Sequence, residues 1–556
     1  MKRIISVVLV IVMLFTFAAP AGAAGGSDYR HWGNQIPVVV FHGDGEPIYN
    51  TEGEKVFHFS EMLNMLGGSA EGALAESVVN VLMPFLMEGI VNDNWDPYYD
   101  ALEKEIGELF TEARYDENGE NWNGTDVSKA VRQQMVDNLK RDTKKIYSHK
   151  SYGAYDYQFW YDWRQDPLKT ADELHEYIQG VKKITGSEKV SLMGRCLGST
   201  IIMAYVAKYG TDDIHGVAFN GSVAAGGEII SETISGKFEI DLAAINRMLT
   251  DFNVKDNMGL DPFITKSLDL AAKVAMVAGI EFEETKIYGK LVQGVTSALA
   301  LSTFFTWPGY WALVTEGDYD EALRYVFGKE GSAKREKYAK LIEKTDAYHE
   351  LVASNIEGIL QTIKDNEVKT VNIAKYGYQI APVIESRNQI GDQFVTLKLA
   401  SFGATTSTVF ETLPEEYIQS RIDEGKGKYI SPDKQIDAST CFFPDSTWFT
   451  KGISHSDWTD FETGLLYQVV TADRQLTVDD FDCTQFVCYD NETQTAYPMT
   501  EENCHIENWK VSSLNNPKTE KEALVSVIKS LIDWAIELIK IIVGVIEKNQ
   551  AAAPIA

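Results

Sequence analysis

Positive charge is scarce in this chain. Its 556 residues carry 51 Lys and Arg against 81 Asp and Glu, a formal net charge of −30. Such a chain repels nucleic acid and anionic membrane surfaces, so no nucleic-acid partner is expected. Cysteine is nearly absent, with five residues at 196, 441, 483, 488 and 504. Cys483 and Cys488 are not spaced as a zinc knuckle, and His505 does not complete one, so no metal is expected. No organic cofactor is implied either, and internal repeats and low-complexity tracts are missing. What is present is apolar: 44% hydrophobic residues with 11% aromatics exclude a disordered acidic chain and suffice for a large core.

The first residues combine Lys2 and Arg3, an apolar stretch from Ile4 to Ala18, and Ala21-Gly22-Ala23. That is the pattern of a secretory signal peptide over 1–24, with a run too short and wrongly flanked for a good membrane span. Export is expected, to the medium or the cell surface. Removing that segment takes two basic residues and no acidic one, so the mature charge is 49 − 81 = −32. In an exported protein an odd cysteine count leaves one thiol over. Cys441, Cys483, Cys488 and Cys504 lie together in the last quarter and could pair among themselves, which isolates Cys196.

Continuous apolar runs bounded by glycine predict buried strands at Pro37–Phe41, Lys189–Met193, His215–Phe219 and Lys369–Ala374. A helix from Asp166 to Thr185 places Leu168, Ala171, Leu174, Ile178 and Val181 on one face, and Thr200–Ala207 is helical in composition. Strands alternating with helices predict an α/β fold with a mostly parallel sheet, occupying 30–225 and 366–460. Two helical stretches interrupt it, at 57–145 and at 230–365. The second reads as a lid over an apolar cleft, and the first either joins it or packs on the core. Residues 461–511 form a cysteine-bearing extension. A final helix over 519–548 has a wide apolar face that docks on the body or touches a lipid interface, a possible peripheral membrane contact.

Gly194-Arg195-Cys196-Leu197-Gly198 follows a predicted strand directly and precedes a helix. Glycines at those spacings allow a tight strained turn that lifts the central residue above the sheet, where the positive helix end favours a thiolate. Cys196 is therefore the candidate nucleophile. The backbone N–H of Leu197 is one candidate oxyanion donor. The turn His42-Gly43-Asp44-Gly45 offers a second, from Asp44 or Gly43. Of nine histidines only His349, His455 and His505 follow the third strand. His349 lies in a charged helix and His505 in the cysteine-bearing region. His455 follows a short apolar run and Gly452, where a base belongs. Upstream of it Asp433 is the first candidate acid, Asp437 its rival, and Asp445 stands further behind. Arg195 either keeps the thiolate charged or faces solvent.

The segments Phe159-Trp160-Tyr161-Asp162-Trp163-Arg164-Gln165-Asp166 and Gly186 to Gly198 resemble the lecithin:cholesterol acyltransferase-like branch of the α/β hydrolases. Thr306-Trp307-Pro308-Gly309-Tyr310-Trp311 is similar to an aromatic and proline segment of that family's cap. The resemblance covers 35–45, 155–225, 300–325 and 365–460. It implies an α/β-hydrolase fold with large helical cap insertions, and lipase, phospholipase or acyltransferase activity on lipid esters. Members of the family use serine with aspartate and histidine, whereas this chain has Cys196 in the serine position, and arginine before it where histidine is common. Cysteine elbows occur in the related dienelactone hydrolases and polyhydroxyalkanoate synthases. The expectation is a hydrolase or acyltransferase acting on a small-molecule or lipid-like acyl ester through a thioester. A catalytically weak binding protein for lipid or hydrophobic metabolites is the alternative, and a cell-surface interaction protein anchored by the last helix is a third.

Overall fold

A computed structural model describes residues 36–58 (except 42, 44 and 45), 81, 84–92, 94–140, 156–239, 294, 297–381, 384–409, 411–455, 457–490 and 493–504. The segment 1–24 and the helix 519–548 lie outside the described residues. So do His505 and Asp44.

The core is an eight-stranded sheet. In chain order its strands are β1 (Val38–Phe41), β2 (Asp156–Gln158), β3 (Val190–Arg195), β4 (Ile214–Asn220), β5 (Lys369–Tyr376), β6 (Thr447–Lys451), β7 (Phe486–Asp490) and β8 (Thr495–Pro498). In space they run β8-β7-β6-β5-β4-β3-β1-β2. Every pairing is parallel except β7 with β8. The protein is thus of the α/β class. The four strands read from apolar runs are all present, each within a few residues of its expected ends. β2, β6, β7 and β8 extend the sheet, and the last two come from the stretch expected as a cysteine-bearing extension.

Both faces of a parallel sheet must be covered, and the side-chain alternation along each strand feeds two separate clusters. Val39, Phe41, Leu192, Val217 and Phe219 point to one face. There they meet helices α1 (Pro167–Thr185) and α2 (Gly198–Tyr209), which contribute Leu174, Ile178, Ile201 and Tyr205. Val38, Val40, Met193, Ala218, Val371, Ile373 and Trp448 point to the other face. They are covered by Leu465, Leu466, Val469 and Val470 of a later helix, Asp460–Val470. Gly216 allows that helix to close on β4, because a Cβ there would stand 2.9 Å from the Val470 carbonyl oxygen.

Local signals set the ends of α1. Asp166 caps it by accepting from Leu168 N–H at 2.9 Å, Pro167 opens it, and Gly186 ends it at φ 72°. The segment before it is anchored by Arg164, which is fully buried. It pairs with Asp162 at 2.6 Å and donates to the Ala113 carbonyl at 2.9 Å, tying 96–138 to the sheet. Trp163 packs edge-on against Trp307 at 5.2 Å, and Gly309 N–H donates to the Arg164 carbonyl at 3.0 Å. A Cβ at Gly309 would lie 2.1 Å from the Trp163 carbonyl oxygen, so the two aromatic motifs read from sequence are one packing unit.

Two neighbours of β1 fix where a site can form. The chain leaves β1 for β2 on one side and returns to β3 on the other. The crevice beyond the carboxyl ends of β1 and β3 is therefore the topological switch point of the sheet.

Candidate active site

Cys196 stands at that switch point, on the first residue after β3. Its φ is 51°, left-handed backbone that a non-glycine residue rarely adopts. The turn is held by Cys196 N–H donating to the Asn220 carbonyl at 3.2 Å, and by Ser199 N–H donating to the Cys196 carbonyl at 2.9 Å. Ser199 Oγ bonds the same carbonyl at 2.6 Å and accepts from Val223 N–H at 2.9 Å, joining the turn to the loop after β4. Gly194 is needed because α2 passes directly over it: a Cβ there would sit 2.8 Å from the Gly198 carbonyl oxygen.

At the end of β1, Gly43 lies against Cys196. A Cβ on it would lie 2.7 Å from Cys196 Cβ, 3.1 Å from Sγ and 3.4 Å from Leu197 N. The expected oxyanion residues Leu197 and Gly43 are thus brought against the thiol, and Leu197 N–H donates to no acceptor among the described residues. It opens the first turn of α2, whose positive end faces Cys196.

His455 follows β6 and is buried. Its Nδ1 lies 2.7 Å from Asp392 Oδ2, and its backbone N–H donates to the Asp392 carbonyl at 2.9 Å. Phe394 stacks on the ring at 4.8 Å. Nε2 is buried and makes no hydrogen bond among the described residues, and Cys196 is the thiol close enough to act on the ring's charge. Burial disfavours the imidazolium. The Asp392 carboxylate, by charge and hydrogen bonding, and Cys196, by charge, outweigh it and raise the His455 pKa to about 10. Asp392 is fully buried, which works against its charge. His455 and the N–H groups of Phe394 and Val395, each at 3.1 Å from Oδ1, nevertheless hold its carboxyl below the usual range.

The acid expected from sequence is corrected here. Asp433 does not reach His455: it pairs with Lys451 Nζ at 2.8 Å and accepts from Tyr376 O–H at 2.9 Å. Asp437 accepts from Tyr417 O–H and Arg421 Nε, both at 2.8 Å, and Asp445 from Tyr429 O–H. Asp392 was missed because it lies 63 residues from His455 along the chain. Its available signal was a single carboxylate after Ile390-Gly391, followed closely by the apolar Phe394-Val395.

Other expectations also change. Arg195 does not face solvent: it is buried, donates to the His455 carbonyl at 3.0 Å and lies over the Trp458 ring. His349 stacks on Tyr319 at 3.9 Å. Cys441, Cys483, Cys488 and Cys504 are free thiols like Cys196, with no pairing among them. Among the described residues no group of His, Cys, Asp and Glu could hold a metal, and no helix is long and apolar enough to cross a membrane.

No family model matches the chain, and no curated protein does. A chain in a solved structure described as the crystal structure of the Tle4-Tli4 complex is similar over 61% of this chain and 75% of its own, at 14% identity and a TM-score of 0.23. At that score the similarity assigns neither fold nor function.

Proposed function

We propose that this protein is an exported acyl-group enzyme of α/β-hydrolase type, whose nucleophile is Cys196, general acid–base His455 and orienting acid Asp392. The observation that carries the reading is the meeting, at the switch point, of a strained cysteine elbow and a histidine locked to a buried carboxylate. His455 keeps its proton well above neutrality, so it is charged and ready to serve a leaving group as acid.

In this reading the thiolate attacks the ester carbonyl, and the oxyanion is received by Leu197 N–H with a donor from the turn at Gly43. His455 then gives its proton to the departing alcohol oxygen, leaving a thioester on Cys196. Neutral His455 takes a proton from water or another acceptor, which attacks the thioester and releases the acyl group. Asp392 holds Nδ1 as donor throughout, so Nε2 faces the sulfur. The substrate class, a lipid-like acyl ester, rests on the Tyr161–Arg164 and Thr306–Trp311 segments and on the apolar character of 230–365. Export rests on residues 1–24.

The test is a panel of nitrophenyl esters of rising chain length, with iodoacetamide and a Cys196→Ala variant. Turnover that is lost in the variant and blocked by alkylation is expected. If no ester is turned over and Cys196 resists alkylation, the reading fails. A co-purified lipid without turnover would favour a binding protein on the same scaffold.

A further inference from the structure

Beneath His455, on the face of the sheet covered by the helix Asp460–Val470, lie two buried cations. Arg195 and Lys375 come from β3 and β5, on either side of β4, and Lys375 is fully inaccessible. Arg195 donates to the carbonyl of His455 at 3.0 Å, and Lys375 Nζ donates to the carbonyl of Asp457. Both acceptors belong to the short connection between β6 and that helix, which carries the base.

The connection is tied at its far end by the same group that neutralises Lys375. Glu462 Oε2 accepts from Thr459 N–H at 3.1 Å, and Glu462 N–H donates to Thr459 Oγ1 at 3.1 Å, closing a capping box. Glu462 Oε1 stands 3.7 Å from Lys375 Nζ, with both side chains buried. Ser454 and Asp457 close the turn between them, Ser454 N–H donating to Asp457 Oδ2 at 3.1 Å. A buried ion pair is a poor source of stability compared with apolar packing of similar volume, so its value must be sought in geometry.

We infer that Arg195 and Lys375 are positioning residues that hang the base-bearing loop from the strands, setting where His455 stands relative to Cys196. This rests on reading those two residues as the reacting pair. Both cations bond backbone carbonyls of the loop. Arg195 is the residue next to the nucleophile in the chain, so its bond to the His455 carbonyl couples elbow and base directly. A displacement of the imidazole by an ångström would weaken its contact with the thiol while leaving the fold intact.

The test uses the full chain and three variants. Arg195→Met removes one tether and Arg195→Lys keeps its charge. Lys375→Met combined with Glu462→Met replaces the ion pair by apolar groups, so no charge is left unpaired. Each is followed by cooperative unfolding, by NMR titration of His455, and by the rate of Cys196 alkylation with iodoacetamide. Arg195→Met and the double variant are expected to fold, to lower the His455 pKa toward its ordinary value, and to slow alkylation about 10- to 100-fold, with Arg195→Lys recovering part of the rate. On a turned-over ester kcat falls and KM holds. Folded variants with the wild-type His455 titration and alkylation rate would overturn the inference. If no ester is a substrate but the titration still shifts in the variants, the acyl reading falls and the positioning role stands.

Discussion

His455 and Asp392 hold each other twice, through Nδ1 and Oδ2 at 2.7 Å and through a backbone hydrogen bond at 2.9 Å. The double link fixes both the ring's tautomer and its place. Asp392→Asn keeps the shape but offers a donor or an unfit acceptor to Nδ1. By the behaviour of such triads it should lower kcat on a turned-over ester by about 10³- to 10⁴-fold, with the unfolding transition little changed.

Asp433→Asn gives the opposite pattern. It leaves Lys451 buried without its carboxylate, which costs about 3 kcal/mol or more of stability. The folded fraction should alkylate at Cys196 at the wild-type rate. Denaturant unfolding and the alkylation rate separate the two variants.

The pH dependence follows from His455. Its folded pKa, raised to about 10, exceeds that of the unfolded chain near 6.5. The native state therefore binds more protons between those values. The stability this contributes is complete below pH 6.5 and lost as pH rises through about 10. Activity and Cys196 alkylation should change through the same alkaline limb, and His455→Gln should abolish it. A limb near pH 7 would show a histidine without its two partners.

Glu228, on the helix Glu228–Ser235, braces the acid loop by accepting from Thr396 N–H at 3.0 Å. Burial pushes its pKa up to about 7, against the hydrogen bonds from Thr396 that lower it. An acid whose folded pKa is raised loses stability as pH rises from 4.5 to about 7, here by about 3 kcal/mol. Glu228→Gln should flatten that part of the stability curve, read from denaturant midpoints at pH 4.5 and 8.

Gly43→Ala places a methyl 2.7 Å from Cys196 Cβ. The elbow cannot retreat, since α2 presses on Gly194 from behind. Ester turnover should fall about 100-fold, with a smaller loss of stability of about 1–3 kcal/mol from overpacking.

Much of the fold was legible because buried parallel strands are continuous apolar runs, as at Val38–Phe41 and Val190–Met193. β6 was hidden by Thr447, Thr450 and Lys451, polar residues that the structure buries. β7 and β8 were hidden among cysteines that looked like a separate extension. Cys196 and His455, the pair proposed to react, could be read from local pattern, since an elbow needs glycines at fixed spacing and the proposed base follows a strand. The acid could not. Asp433 lies nearer His455 in the chain, but Lys451 and Tyr376 occupy its carboxylate, while Asp392 reaches the ring by a fold-dependent loop closure. Arg195 was visible as a residue, yet its bond to the His455 carbonyl depends on a contact across 260 positions.

The most direct measurement is the mass of the protein quenched while incubated with a nitrophenyl ester, with peptide mapping of any adduct. The account predicts one acyl group on Cys196, removed by hydroxylamine, absent in Cys196→Ala, and accumulating when His455 is replaced by glutamine. Turnover with no acyl group on Cys196, or with the acyl group on another residue, would contradict it.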